Sequence, residues 1–258
     1  MLDLIRCSVN YLVNRYVRGL AIQSPPVFIV GCGHSGTSLL LAILGSHPKI
    51  FPVPKESSVG FKSFKKYLYL WCFDNWTIKN GKARWIEKTP KHIHKIGRLL
   101  AIRPRTKILL VIRDGRDVAC SFQERFGDLE KGIQTWVTDN LAGRKYWDHP
   151  DVLVLRYEDL LDSFAATIRQ ILSFIGEDFE PSILEYYKQP KYFYADNLEK
   201  PASVSGKYHK QYRNWQINQP LFYHRGRWSS LTTEEKILVK NIGNDLLFEL
   251  GYITNRDW

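Results

Sequence analysis

The sequence predicts an α/β domain of three layers, a central parallel β-sheet flanked by helices, and three observations carry that prediction. Residues Gly31 to Ser38 read GCGHSGTS, a glycine-rich turn between the apolar run Val27-Phe28-Ile29-Val30 and the helix-forming run Leu39 to Leu44. Strand, glycine-rich turn and helix in that order make a phosphate-binding loop (P-loop). Thr106 to Ile112 (TKILLVI) is almost unbroken apolar sequence of strand length, as a parallel strand covered on both faces requires. Elsewhere strand-like and helix-like runs alternate, the pattern of a parallel sheet whose ligands lie at the carboxyl ends of the strands.

The elements follow in chain order. Residues 1–24 are expected as a helical extension. Met1 to Leu20 mixes apolar residues with Arg6, Arg15 and Arg18, too often interrupted to span a bilayer, and suits packing on the domain or peripheral contact with a membrane. The helix after the loop ends near Gly45-Ser46-His47-Pro48, with His47 helping to terminate it, and Phe51-Pro52-Val53-Pro54 reads as a proline-rich loop. Phe61 to Trp76 is aromatic, basic and helical. Arg84-Trp85-Ile86-Glu87 is a short strand, and Pro90 to Ile102 carries Ile93, Ile96, Leu99 and Leu100 at helical spacing.

After TKILLVI, Asp114-Gly115-Arg116-Asp117 turns into a helix through Phe122, with carboxylates in its first turn. Asp151 to Leu155 is a buried strand. Leu160, Leu161, Phe164, Ile168, Ile171, Leu172 and Ile175 then mark one helix face, which Gly176 stops. Periodicity fades from Tyr186 to Trp228, where aromatic residues interleave with Lys, Arg and His, so residues 186–230 are expected as irregular binding loops. Thr232-Thr233-Glu234-Glu235 is a capping-box start for a last helix running toward Gly251. One domain over residues 1–258 is the expectation.

A net charge of +11 implies an anionic partner and does not say which. Cys7, Cys32, Cys72 and Cys120 show no paired spacing of zinc sites or disulfide frameworks, which points to a reducing compartment. His92 and His94, two apart on an expected helix, face different directions; they read as solvated histidines and not as a metal pair.

Thr37 stands where the P-loop lysine of a nucleotide triphosphatase would reach β- and γ-phosphates. Backbone N–H groups and the positive end of the following helix hold a phosphate without it. Arg113 ends the TKILLVI strand, and Ser121 lies eight residues later across the strand-to-helix turn, so both are placed to grip a second phosphate. The implied ligand has two separated anionic groups.

On these residues, from about Val27 to Gly176 and more weakly near the C-terminus, the chain resembles the sulfotransferases that use 3′-phosphoadenosine 5′-phosphosulfate (PAPS). Bacterial members and the tyrosylprotein sulfotransferases are the nearest in pattern. The resemblance implies PAPS as co-substrate, adenosine 3′,5′-bisphosphate (PAP) as product, and no metal. It implies that Gly33, His34, Ser35, Gly36, Thr37 and Ser38 hold the 5′-phosphosulfate, and that Arg113 and Ser121 in VIRDGRDVACS bind the 3′-phosphate, with Arg125 a further contact. Tyr157 in LRYEDL looks like an adenosine-side or structural tyrosine. Lys88 in EKTP is similar to a lysine over the sulfate, and Arg225-Gly226-Arg227-Trp228 is similar to a late loop that closes over the 3′-phosphate.

Glu56 in VPKESS matches the glutamate base of the tyrosylprotein enzymes. It would accept the acceptor's proton during in-line attack on sulfur, while Lys88, His34 and the loop N–H groups stabilise the leaving oxygen. The family usually carries Arg or Lys at the position of His34, so the permanent charge there is either lost or made pH-dependent. The resemblance implies a hydroxyl or amine acceptor borne by a glycan, peptide, lipid or small molecule, no nucleic-acid partner, and a cytoplasmic setting.

Plainer readings stand beside these. Glu56 is also suited to be a solvated loop carboxylate, Lys88 a strand-end cap, Tyr157 a packed structural residue and Arg113 half of a surface ion pair. For the whole chain the rivals are a P-loop phosphotransferase, a non-catalytic relative that binds adenosine bisphosphate, and a nucleic-acid module that stacks bases on Lys207 to Trp228.

Overall fold

Five strands form the sheet of the computed structural model: β1 (Val27–Gly31), β2 (Ile50–Pro52), β3 (Arg84–Lys88), β4 (Lys107–Ile112) and β5 (Val152–Arg156). All pairings are parallel, in the order β2-β3-β1-β4-β5. The structure describes residues 24–57, 59–61, 66–222 and 225–258, so the helical extension expected at the N-terminus lies almost wholly outside the described residues. Because β1 sits between β3 and β4, the carboxyl ends of these three strands open onto one crevice.

The strands divide their side chains between two cores with the two-residue period of an extended chain. Phe28, Val30, Ile108, Leu110 and Ile112 point into one core, and Val27, Ile29, Leu109 and Val111 into the other. The first core is closed by α2 (Lys66–Lys79), α3 (Ile96–Leu100), α4 (Gly115–Phe126), α5 (Leu129–Arg144) and α9 (Thr233–Glu249), which contribute residues such as Phe73, Leu99, Val118, Trp136 and Leu247. The second is closed by α1 (Thr37–Leu44), α6 (Tyr157–Asp162) and α7 (Phe164–Ile175), through Leu40, Leu160 and Ile171 among others. This is the expected three-layer arrangement. The capping box opens α9 as read, with Thr232 and Glu235 bonded reciprocally, and Gly176 ends α7 in the left-handed conformation at φ 76°.

Several local expectations need correction. The supposed loop at Phe51 and Pro52 is part of β2, an edge strand, where a proline's missing N–H costs no ladder bond on the open side. Pro90 to Ile102 is a 3-10 helix (Pro90–Lys95) that passes into the short α3. The helical face expected from Leu160 to Ile175 breaks at Ser163 into α6 and α7. The region 186–228 is not wholly irregular, since it contains α8 (His209–Gln216) and short 3-10 turns.

Of the two histidines read as solvated, His94 is exposed and His92 is not. His92 is fully buried with Nδ1 3.2 Å from Glu87 Oε2, and His94 pairs with Asp139 at 2.6 Å. The 3-10 winding turns the first inward and lays the second against α5.

Candidate active site

The turn after β1 is fixed by what its glycines lack. A Cβ on Gly31 would stand 2.4 Å from the Val111 carbonyl oxygen of the neighbouring strand. One on Gly36 would stand 2.4 Å from the Tyr157 ring, and Gly36 also adopts φ 87°, open to glycine at no steric cost. Between them His34 takes φ 67°, uncommon for a side chain with a Cβ and a form of strain found at functional sites. The loop thus presents Gly33, His34, Gly36, Thr37 and Ser38 to one cleft. Ser35 is not among the lining residues; its hydroxyl is buried and makes no hydrogen bond among the described residues.

Arg113, at the end of β4, donates to the His34 carbonyl oxygen (3.0 Å) and lies 4.5 Å from the centre of the Tyr157 ring. Tyr157 is therefore both the platform under Arg113 and the wall against Gly36. Ser121, on α4, meets the His34 imidazole, with 2.9 Å between Oγ and Nδ1. Arg125, one turn further along α4, lines the same cleft. Burial, and then the charge of Arg213, pushes the Arg125 guanidinium down to about 10.

The same cations bear on His34. Burial first, then Arg125, Arg213 and Arg113, push its imidazole down to about 3, so it is neutral throughout the physiological range. Of the two outcomes expected here, the fixed charge is lost and not made pH-dependent near neutrality, and His34 offers a hydrogen bond instead.

On the other side Lys88 ends β3 and bonds Glu56 Oε1 at 2.5 Å. Arg213 of α8 approaches the same oxygen at 3.6 Å. Both cations sit on Oε1, and no bond to Oε2 occurs among the described residues. The Glu56 loop is held from below by Glu87. That buried carboxylate accepts from Ser57 N (3.0 Å), Ser57 Oγ (2.9 Å) and Thr89 Oγ1 (2.5 Å). Burial raises Glu87, and its bonds to His92, Thr89 and Ser57 more than reverse this, leaving it below the usual carboxylate range.

Gly33, His34, Gly36, Thr37, Ser38, Glu56, Lys88, Arg113, Ser121, Arg125 and Tyr157 therefore line one cleft, as a single transfer site would require. The late loop does not join them in the lining. Gly226, Arg227 and Trp228 donate their backbone N–H groups to Asp117 (2.8, 2.8 and 3.3 Å). Arg225 pairs with Asp162, Arg227 pairs with Glu124, and Trp228 stacks on Arg116. Asp117 thus does more than complement the dipole of α4, since it anchors the late loop.

Sequence reasoning missed Arg213, Tyr186, Gln216 and Pro220 to Phe222, which complete the cleft, and Glu87 beneath it. Their only signal was the aromatic and basic interleaving after Tyr186. Among the described residues no group of three or more His, Cys, Asp or Glu stands where it could hold a metal ion, and no helix is long and apolar enough to cross a membrane.

Residues 55–181 match the family model described as the sulfotransferase family. An uncharacterized protein of Aquifex aeolicus (strain VF5) is 25% identical over 205 residues, 63% of this chain; the chain spans only 27% of that relative's length. Among solved structures, the sulfotransferase domain from the curacin biosynthetic pathway aligns with a TM-score of 0.59 at 16% identity, over 88% of this chain and 98% of that one. Mouse sulfotransferase SULT7A1, complexed with PAP, aligns with a TM-score of 0.58 at 14% identity, over 88% and 87%. The sulfotransferase domain of the Synechococcus PCC 7002 olefin synthase gives 0.51 at 16%, over 85% and 95%. At these identities the structural likeness concerns the fold.

Proposed function

The chain belongs to the sulfotransferase family, and on that premise we propose that it transfers a sulfuryl group from PAPS to a hydroxyl-bearing acceptor in the cleft over Gly33 to Ser38. The observation that carries the reading is convergence. A phosphate loop with Thr37 in place of lysine, the Arg113 and Ser121 pair, and the Glu56 and Lys88 pair line a single cleft. The donor suits it: nothing lies within 4 Å of where a Gly33 Cβ would be, and the buried Ser35 hydroxyl beside it makes no protein hydrogen bond among the described residues. Both features fit an anion resting on the loop.

In this reading Gly33 to Ser38 hold the 5′-phosphosulfate, and Arg113, Ser121 and Arg125 hold the 3′-phosphate, with Tyr157 bracing Arg113. Glu56 takes the acceptor's hydroxyl proton on its open Oε2 as the acceptor oxygen bonds to sulfur. The bond from sulfur to the bridging oxygen breaks, and that oxygen leaves on PAP with the electron pair. Lys88 and the loop N–H groups offset the charge it gains. His34, neutral, orients Ser121 and supplies no fixed charge.

Arg225, Gly226, Arg227 and Trp228 remain part of the proposal as the loop beside the 3′-phosphate. Residues 1–258 act as one domain, with 186–230 closing on acceptor and nucleotide. Cys32, Cys72 and Cys120 are free, in keeping with a reducing, cytoplasmic setting.

Thermal shift tests the donor. PAP without metal is expected to raise the melting midpoint, with about 2.7 kcal/mol of stabilisation at a hundredfold excess over Kd. A shift with Mg-ATP and none with PAP would sink the proposal. Transfer of radiolabelled sulfate to candidate hydroxyl acceptors then tests the chemistry. Glu56→Gln is expected to lower the rate by about 100-fold or more and to leave PAP affinity unchanged; full retained activity would remove Glu56 as the base.

A further inference from the structure

One side chain outside the cleft's lining touches three residues within it. Tyr194 lies in the irregular stretch before α8, and two buried asparagines lock that stretch in place. Tyr194 N donates to Asn214 Oδ1 (3.1 Å), and Asn214 Nδ2 donates to the Asn197 carbonyl (2.8 Å). Lys191 N donates to Asn218 Oδ1 (2.7 Å), and Asn218 Nδ2 returns a bond to the Lys191 carbonyl (2.8 Å). The backbone on both sides of Tyr194 is thereby fixed. Its hydroxyl donates to Ser38 Oγ (3.1 Å) in the anion loop. Its ring takes the Arg213 guanidinium at 4.8 Å from its centre and the Lys88 ammonium at 5.3 Å. These are the two cations that share Glu56 Oε1.

We propose that Tyr194 is a positioning residue for sulfuryl transfer. Its ring gathers Lys88 and Arg213 onto one oxygen of Glu56, and its hydroxyl ties that arrangement to the anion loop at Ser38. The inference rests on the transferase reading above. Lys88 and Arg213 are long, flexible and alike in charge, so neither holds the other in place. A negative π face is a surface on which both are attracted at once. With the cations confined to Oε1, Oε2 keeps the direction needed to take a proton.

Two substitutions in the full chain separate ring from hydroxyl. Tyr194→Phe keeps the face and loses the bond to Ser38; a two- to tenfold weaker PAP affinity by calorimetry is expected. Its rate of sulfuryl transfer from PAPS, to 4-nitrophenol and to water, should match the wild type once PAPS is saturating. Tyr194→Leu should show the same loss of PAP affinity, with a rate a further roughly tenfold lower. Lys88 provides a readout that needs no turnover. Its ammonium should be acetylated several-fold faster by acetic anhydride in Tyr194→Leu and not in Tyr194→Phe, as read by peptide mass spectrometry.

If Tyr194→Leu fails to fold, Tyr194→Met, which fills similar space without a π face, takes its place. Identical rates and identical Lys88 labelling in the Phe and Leu variants overturn the positioning role while the transferase reading stands. A wild-type chain that binds no PAP overturns the transferase reading, and this one with it.

Discussion

The turn from Gly31 to Ser38 and the segment from Gln189 to Phe222 line the same cleft, yet they are fixed by opposite means. The first is shaped by missing atoms: Gly31 and Gly36 leave room for the Val111 carbonyl and the Tyr157 ring, and the chain runs straight from β1 into α1. The second is shaped by added ones. It pairs with no strand; Asn214 and Asn218 satisfy the Lys191 and Tyr194 N–H groups and two carbonyls, and Tyr186 donates its hydroxyl to the Gln219 carbonyl (2.7 Å). A site can therefore rest one wall on the sheet and hang the other on a few amide side chains. The second wall is free to change its residues without disturbing the first.

The first wall is most vulnerable at Gly36. Gly36→Ala combines a positive φ with a contact against a buried ring, and about 2–4 kcal/mol of global stability is expected to be lost, together with PAP binding. A denaturant midpoint equal to that of the wild type would show that the turn tolerates a side chain. Asn214→Ala comes next, with a different signature. About 1–3 kcal/mol should be lost by leaving backbone groups unpaired, and faster hydrogen exchange should be confined to the segment around Lys191 to Asn218. Exchange that rose equally in β1 and β4 would mean that the two walls are not independent.

The smallest effect concerns His34 and sharpens the picture of the first wall. Its imidazole titrates near 3 in the folded chain against 6.5 when exposed. Between those values the unfolded chain binds the extra proton, so this contribution to stability is complete above 6.5 and is lost as the pH falls toward 3. His34 is half-buried, and about 1 kcal/mol between pH 7 and pH 4 is a fair expectation after allowing for solvent. His34→Asn, suited to the same backbone conformation, should flatten the melting midpoint over that interval by about 2–4 °C relative to the wild type. Parallel pH profiles would place the titration elsewhere.

What the sequence revealed follows the same division. β1, β4, α1 and α9 were legible because period, glycine and capping signals are local. α5 was not, although Trp136 lies deep in the core. Its glycines look like helix breakers, but Gly132 and Gly143 are where Phe122 and Ile93 come within 2.7 and 3.0 Å of a would-be Cβ. Of the candidate site, the loop, Arg113, Ser121, Lys88 and Glu56 line one cleft and could be singled out from the sequence, since each lies at a strand end or in the loop or helix that follows one. Arg213 and Tyr194 were hidden because nothing in the spacing of residues 186 to 222 announces which carbonyl an asparagine will bond. Whether the charge at His34 is lost or pH-dependent was open for a related reason: it depends on burial and then on Arg125 and Arg213, one of them brought in from far along the chain.

Gly36 and Tyr157 also bear on how such a chain can drift. The ring fills the space that any side chain at position 36 would need, while Arg113 stacks on the same ring. A single substitution at 36 meets an occupied place, and a single reduction at 157 removes the support of the arginine. Among descendants of this sequence the three positions should be inherited as one unit, exchanged together or kept together, whatever happens to the residues around them.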